Sequence, residues 1–198
     1  MTRRQRGFTL TELLVGISLF SIMAAAIAAF QTVLLHNQGR MMRGALLDDT
    51  ATLIGIALRR RLATASHVQS PIPGAASPAL TVWDNLDPAD GLSPLVGAEP
   101  VRFAHFCADA AGRLFLYEGS FRPLPSFGCG ADPPPGSTRM ALAGDSTGRL
   151  RVSALFNRPP GESNVIQVQY QVALSADPDG RFAAVSRRTQ FVLRAVKG

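Results

Sequence analysis

The sequence predicts an α+β protein in which one long N-terminal helix packs on an antiparallel β-sheet. No proline occurs between Phe8 and Ser70, so nothing in this stretch forces a helix to stop. Beyond Ser70, short apolar runs alternate with turns rich in proline, glycine and aspartate, which is typical of strands. The 198 residues are enough for one ordinary globular domain and one membrane segment.

The first element is a basic leader, residues 1–7, followed by an apolar run. From Leu13 to Phe30 there is no charged residue. As a helix, residues 8–30 would be about 35 Å long, enough to cross the hydrocarbon core of a bilayer. Positive residues before such a run place its N-terminus on the cytoplasmic side. We therefore predict a transmembrane helix, or a filament-core helix, over residues 8–30.

Residues 31–66 are predicted to continue the helix as an amphipathic second half, ending at about Ala65 and before Ser70-Pro71. Asp49 and Arg60 interrupt the apolar stripe that we expect to face the globular domain. That predicted stripe consists of Leu35, Met42, Leu46, Leu53, Ile56 and Ala57.

The rest of the chain, residues 67–198, is predicted to be a β-rich globular domain on the periplasmic side. Apolar residues alternate most clearly between Val165 and Leu174, where glutamines occupy the other face. Asp177-Pro178-Asp179-Gly180 predicts a turn, with one or two strands returning after it. The predicted strands are Leu80–Trp83, Val101–Cys107, Arg113–Tyr117, Arg149–Phe156, Val165–Leu174, Arg181–Val185 and Thr189–Val196.

The two cysteines of the chain, Cys107 and Cys129, are candidates for a disulfide. Disulfides persist in the periplasm, and a bridge here would stabilise the fold by about 3 kcal/mol in the chain-entropy model. Two free buried thiols are the alternative. A redox Cys-x-x-Cys motif is absent from the sequence, and two cysteines do not make a zinc site unaided.

Other polar candidates are weaker. Asp84, Asp87 and Asp90 leave calcium binding open, but their spacing is not that of an EF-hand loop. Arg59–Arg61 could touch phosphates of lipid or DNA, although a solvated helix end explains them as well. Removing three leader arginines halves the formal net charge of +6, which is too mild to indicate nucleic-acid binding. The three histidines are predicted to be surface or packing residues: His36, His67 and His105.

The segment RGFTLTELLVGISLF, from Arg6 to Phe20, resembles the prepilin signature of type IV pilins and type II secretion pseudopilins. In that family a membrane peptidase cuts after the glycine, the new N-terminal phenylalanine is N-methylated, and the fifth mature residue is glutamate. The resemblance implies cleavage after Gly7, methylation at Phe8 and a role in assembly for Glu12. It also implies that the positive charges of the leader are Arg3, Arg4 and Arg6.

The resemblance implies a structural subunit rather than an enzyme, with no cofactor. Such a subunit is anchored in the bacterial inner membrane and then enters a filament. The implied partners are the prepilin peptidase, other minor and major pilins or pseudopilins, an inner-membrane assembly platform and the lipid bilayer. In size and layout the chain resembles the minor pseudopilin J and minor pilin W types, which are thought to prime assembly at filament tips.

Three alternatives stay open from the sequence. One is a competence-type or adhesive minor pilin that binds DNA or a surface. Another is a secreted protein or enzyme behind an ordinary signal peptide, since Met23–Ala26 offers a small-residue cleavage site. A plain single-pass anchor is the third, but it explains neither Gly7-Phe8 nor the acid Glu12.

Overall fold

A computed structural model of the chain describes residues 9–87, 93–94, 100–120, 128–161 and 165–194. It shows one long helix, α1 (Leu10–Thr64), followed by antiparallel strands. This confirms the predicted fold class. The chain divides into two compact units, an N-terminal unit of residues 1–42 and a C-terminal unit of residues 43–198.

The strands form two sheets where the sequence predicted one. The order is β1-β3-β4-β5-β6 in a five-stranded sheet and β2-β7-β8-β9 in a four-stranded sheet. Neighbouring strands are antiparallel throughout. Their bounds are β1 His67–Ser70, β2 Ala76–Ser77, β3 Ala79–Asp84, β4 Arg102–Ala108, β5 Leu114–Gly119, β6 Ser137–Ala143, β7 Leu150–Asn157, β8 Val165–Leu174 and β9 Val185–Arg194.

In the N-terminal unit, α1 carries no charged residue from Leu13 to Phe30, and the side chains of this predominantly apolar stretch are exposed. By its length and composition, helix α1 could cross a membrane. A signal sequence near an N-terminus would meet the same two criteria. Hydroxyl groups here donate back into the helix: Ser18 to the Leu14 carbonyl at 2.6 Å and Ser21 to the Ile17 carbonyl at 2.8 Å. These polar side chains therefore need no other partner in an apolar environment.

In the C-terminal unit, one face of α1 packs into the core. The buried residues of that face are Leu47, Thr50, Ala51, Ile54, Leu58 and Leu62. The predicted stripe is therefore wrong in the C-terminal unit. Leu46, Leu53 and Ile56 are exposed there, and Ala57 is only partly buried. Met42, which was also predicted for the stripe, belongs to the N-terminal unit. The observed face carries no charge, whereas Asp49 and Arg60 would have broken the predicted one.

The core has two clusters. The larger joins α1 to both sheets, with Ile54 and Leu58 packed among residues such as Phe106 of β4 and Phe156 of β7. The smaller lies within the five-stranded sheet region and contains Trp83, Leu86, Phe103, Cys107, Phe115 and Tyr117.

The strand predictions are correct for the central strands and incomplete elsewhere. The chain forms β1 directly after the helix, before Pro71. The sequence did not predict β1, β2 or β6. β1 and β2 are very short, and β6 is a largely exposed edge strand without apolar alternation. The returning chain forms a single strand, β9, which is one of the two predicted possibilities. This strand begins at Val185, so residues 181–184 are not part of it.

Candidate functional site

The described part of the predicted processing site is the N-terminus of α1. Thr9 precedes the helix, and its carbonyl accepts the amide of Leu13 at 3.2 Å. The Glu12 amide donates to Thr9 Oγ1 at 3.3 Å, and the Thr9 amide donates to Glu12 Oε2 at 3.0 Å. This reciprocal pair is a capping box, which satisfies two backbone donors that a helix start leaves unpaired.

Among the described residues, hydrogen bonds reach one oxygen of the Glu12 carboxylate, Oε2. Thr9 Oγ1 also donates to Oε2, at 3.1 Å, so both bonds to the carboxylate fall on the same atom. In the part of the chain that the structure describes, no basic side chain forms an ion pair with Glu12. Its Oε1 atom is therefore available to a cationic donor from elsewhere.

The other residues predicted for processing lie outside the described residues: Arg3, Arg4, Arg6, Gly7 and Phe8. Sequence reasoning overlooked Thr9, although the spacing Thr-x-x-Glu over residues 9–12 is the sequence signal of a capping box.

Cys107 on β4 and Cys129 form a disulfide, with their Cα atoms 5.9 Å apart. The segment around Cys129 has further anchors. The buried Tyr117 hydroxyl accepts the Gly130 amide and donates to the Ala131 carbonyl, both at 2.9 Å. Arg139 donates to the same two residues' carbonyls, at 2.6 and 2.8 Å.

The candidate calcium residues are only partly described. Asp84 accepts a hydrogen bond from Thr64 Oγ1 at 3.3 Å, and burial raises the pKa of its carboxyl. Asp90 lies outside the described residues. Within the described ranges, no three or more His, Cys, Asp or Glu residues are grouped to hold a metal ion. Calcium binding here stays a prediction.

The three arginines at the end of α1 do not act together. The guanidinium of Arg59 stacks over the Phe191 ring, 5.2 Å from its centroid. Arg61 forms an ion pair with Glu118 on β5. Arg60 is exposed. Two of the three side chains thus serve packing of the domain itself, which leaves little of a shared phosphate-binding patch.

Comparison with known proteins points to the same end of the chain. Residues 2–28 match the model of the prokaryotic N-terminal methylation motif. No curated protein matches the chain. Among solved structures, a type IV-like pilin from Thermus thermophilus is similar at 13% identity and a TM-score of 0.43, covering 75% of this chain and 96% of its own. That similarity is too low to carry an argument, so the assignment depends on the motif.

The motif match covers the predicted cleavage site, the capping box and most of the apolar run. A processed N-terminus and assembly with other pilins are what this motif generally implies, and the apolar helix fits membrane anchoring. The chain thus carries a prepilin-type N-terminal methylation motif over residues 2–28.

Proposed function

We propose that this chain is a minor pilin or pseudopilin, a structural subunit that enters or primes a type IV pilus or a type II secretion pseudopilus. The observation that carries the proposal is the position of Glu12. It is the fifth residue after the predicted cleavage at Gly7, within a matched methylation motif. Its carboxylate is exposed, and among the described residues both hydrogen bonds to it fall on Oε2, which leaves Oε1 for a cation.

Cleavage would create that cation. Once the leader is removed, Phe8 carries a new α-amine, which is largely protonated at neutral pH. A carboxylate and an ammonium group removed from water together cost far less than either alone. Because Thr9 already holds Oε2, the amine of a neighbouring subunit, or of the same one, would bind at Oε1. The pair would set the register of a subunit as it joins the filament.

The remaining features support a bacterial inner-membrane subunit with its N-terminus in the cytoplasm. Arginines precede the apolar run, as the positive-inside rule requires. The Cys107–Cys129 disulfide fits a globular domain in the oxidising periplasm. The proposed partners are the prepilin peptidase, other pilins or pseudopilins, and an inner-membrane assembly platform.

The test is the intact mass and N-terminal sequence of the native protein. A mature start at Phe8 with one added methyl group is expected. Gly7→Val should retain the leader, because a branched side chain blocks the peptidase at the scissile bond. Gly16→Val is the matched control. Among the described residues, nothing beyond the nearby backbone of its own helix lies within 4 Å of a Cβ built at Gly16, so this variant should be processed normally. A start after Ala26 or at Met1 in the native protein refutes the proposal.

A further inference from the structure

Strand β9 (Val185–Arg194) is the last strand of the four-stranded sheet. It pairs with β8 along its whole length, from Leu174↔Val185 to Val165↔Arg194. In the described ranges no strand pairs with its other side. Ten residues of extended chain present an edge about 34 Å long, along which every second residue directs its backbone amide and carbonyl outward. Such an edge is a template for another strand.

A cleft lies beside this edge, within the C-terminal unit. It has a volume of about 430 Å³, is open to solvent, and lies between α1 and the inward face of β8 and β9. Gly55 gives the cleft depth, because a Cβ there would come within 3.3 Å of the Tyr170 hydroxyl oxygen. Ile56 lines the same cleft and is 58% exposed. The helix surface therefore extends past the sheet that covers it.

The charged residues that line the cleft or lie on β9 are four arginines and Asp48, so the net charge beside the edge is positive. Arg187 and Arg59 line the cleft, and β9 also carries Arg188 and Arg194. Arg187 pairs with Asp48 at 3.4 Å from Nε to Oδ1, but both side chains are about 60% exposed, so the pair is weak. An added strand with acidic side chains would meet arginines on both faces of the sheet.

We propose that β9 accepts an extended, acid-rich segment of another protein as a fifth strand of this sheet. Backbone hydrogen bonds along the edge would provide affinity, and alternate side chains would provide specificity. Side chains on the inward face would enter the cleft against Ile56 and Arg59. Side chains on the outward face would lie beside Arg188, which is next to the inward-facing Arg187 on the strand.

A second copy of this chain fits the edge less well. Pairing β9 with β9 over most of its length would bring two sets of three arginines together. Like charges on adjacent strands are destabilising, and charged edge strands are a common means of preventing self-association. The partner is therefore expected to differ from this chain and to be acidic where β9 is basic. The proposal is independent of how the N-terminus is processed.

The test uses the full chain in detergent micelles and a ten-residue fluorescent peptide of alternating glutamate and valine. Fluorescence anisotropy measures binding, and amide hydrogen exchange locates it. We expect the peptide to slow exchange at alternate β9 amides, those directed away from β8. A lysine–valine peptide should bind more weakly by a factor of at least about ten. A glutamate–valine peptide with N-methylated backbone amides should not bind, because it cannot pair with the edge.

Two variants separate the cleft from the rest of the helix. Ile56→Glu places an acid in the cleft and should weaken binding of the acidic peptide by about tenfold. Leu53→Glu is the matched control: Leu53 is 62% exposed on the same helix but does not line the cleft, so affinity should be unchanged. Equal weakening by both variants would overturn the proposal. So would undiminished binding of the N-methylated peptide, or a dimer protected at β9 without any peptide.

Discussion

The amide nitrogen of Thr9 lies 3.0 Å from Glu12 Oε2, which ties the residue after the predicted new N-terminus to the acid predicted to bind an amine. The same carboxylate therefore has two distinct tasks. One is to close a capping box with Thr9, which needs only a hydrogen-bond acceptor. The other is to pair with an ammonium group, which needs a negative charge. Substitutions at the two positions separate these tasks.

We expect Glu12→Gln to be processed normally but to assemble poorly, since glutamine keeps the capping acceptor and loses the charge. Glu12→Ala should assemble no better, although it loses both. Thr9→Ala removes the N-cap hydroxyl at a cost of about 1 kcal/mol in helix stability and keeps the charge, so it should still assemble. Intact mass reports processing, and filament or secretion yield reports assembly. Normal assembly by the glutamine variant would contradict a role for the charge.

For α1 in the C-terminal unit, the sequence predicted the end of the helix correctly but not its buried face. The helix was predicted to end at about Ala65, and it ends at Thr64. The face was wrong because apolar residues occur on two sides: Leu47 and Leu58 are buried, whereas Leu53 and Ile56 are exposed. Periodicity alone does not choose between two apolar stripes. The uninterrupted one, without Asp49 or Arg60, is the better choice.

The sheets show the same division between local and distant information. β8 was predicted with its observed bounds, because its alternation is local and regular. The existence of two sheets depends on pairings between distant segments, such as Ala76↔Asn157 between β2 and β7. β2 has two residues, too few to carry a period. At the candidate site, Thr9 could have been found from its spacing to Glu12. That both hydrogen bonds from Thr9 fall on the same carboxylate oxygen, Oε2, could be seen only in the structure.

The contact between Tyr170 and α1 gives a second prediction. The buried Tyr170 hydroxyl donates to the Ala51 carbonyl at 2.6 Å, and burial raises the pKa of this phenol. Tyr170→Phe should lower the free energy of unfolding of the full chain by about 1 kcal/mol, since the carbonyl keeps its helical partner. Chemical denaturation followed by the fluorescence of Trp83 measures this. No loss of stability would show that the hydrogen bond makes no net contribution.

Gly55 and Tyr170 are predicted to be coupled. Alanine is favoured over glycine inside a helix by about 1 kcal/mol, but a Cβ at residue 55 would be 3.3 Å from the Tyr170 oxygen. Gly55→Ala should therefore stabilise the Tyr170→Phe protein more than the wild type. A double-mutant cycle on the free energies of unfolding measures the difference. Additive effects within about 0.3 kcal/mol would contradict the coupling.

The disulfide is predicted to contribute to stability although Tyr117 and Arg139 also hold the Cys129 segment. The double variant Cys107→Ser, Cys129→Ser should lose about 3 kcal/mol of unfolding free energy, because the unfolded chain regains the freedom of the loop between the two positions. Cys107 is also buried beside Trp83, so the fluorescence of the tryptophan reports the transition. A reducing agent should destabilise the wild type and leave the double variant unchanged. Equal stability of reduced and oxidised wild type would contradict the prediction.

His105 is predicted to make the globular domain sensitive to acid. It lies on β4 with Nδ1 2.8 Å from Thr81 Oγ1, and burial lowers the pKa of its imidazole to about 4. In the unfolded chain a histidine titrates near 6.5, so between these values the unfolded state binds more protons. Stability should therefore be complete above about pH 6.5 and fall by roughly 3 kcal/mol as the pH approaches 4.

The measurement is the free energy of unfolding between pH 8 and pH 4.5 for the full chain and for His105→Asn. Asparagine can keep a hydrogen bond to Thr81 but does not titrate, so its curve should be flatter over this range. Asp84 acts in the opposite direction, because burial raises the pKa of its carboxyl and the folded state then binds the extra proton. Asp84→Asn is the control, and it should steepen the loss of stability at the acid end of this range. Parallel curves for the wild type and His105→Asn would show that another group carries the acid response.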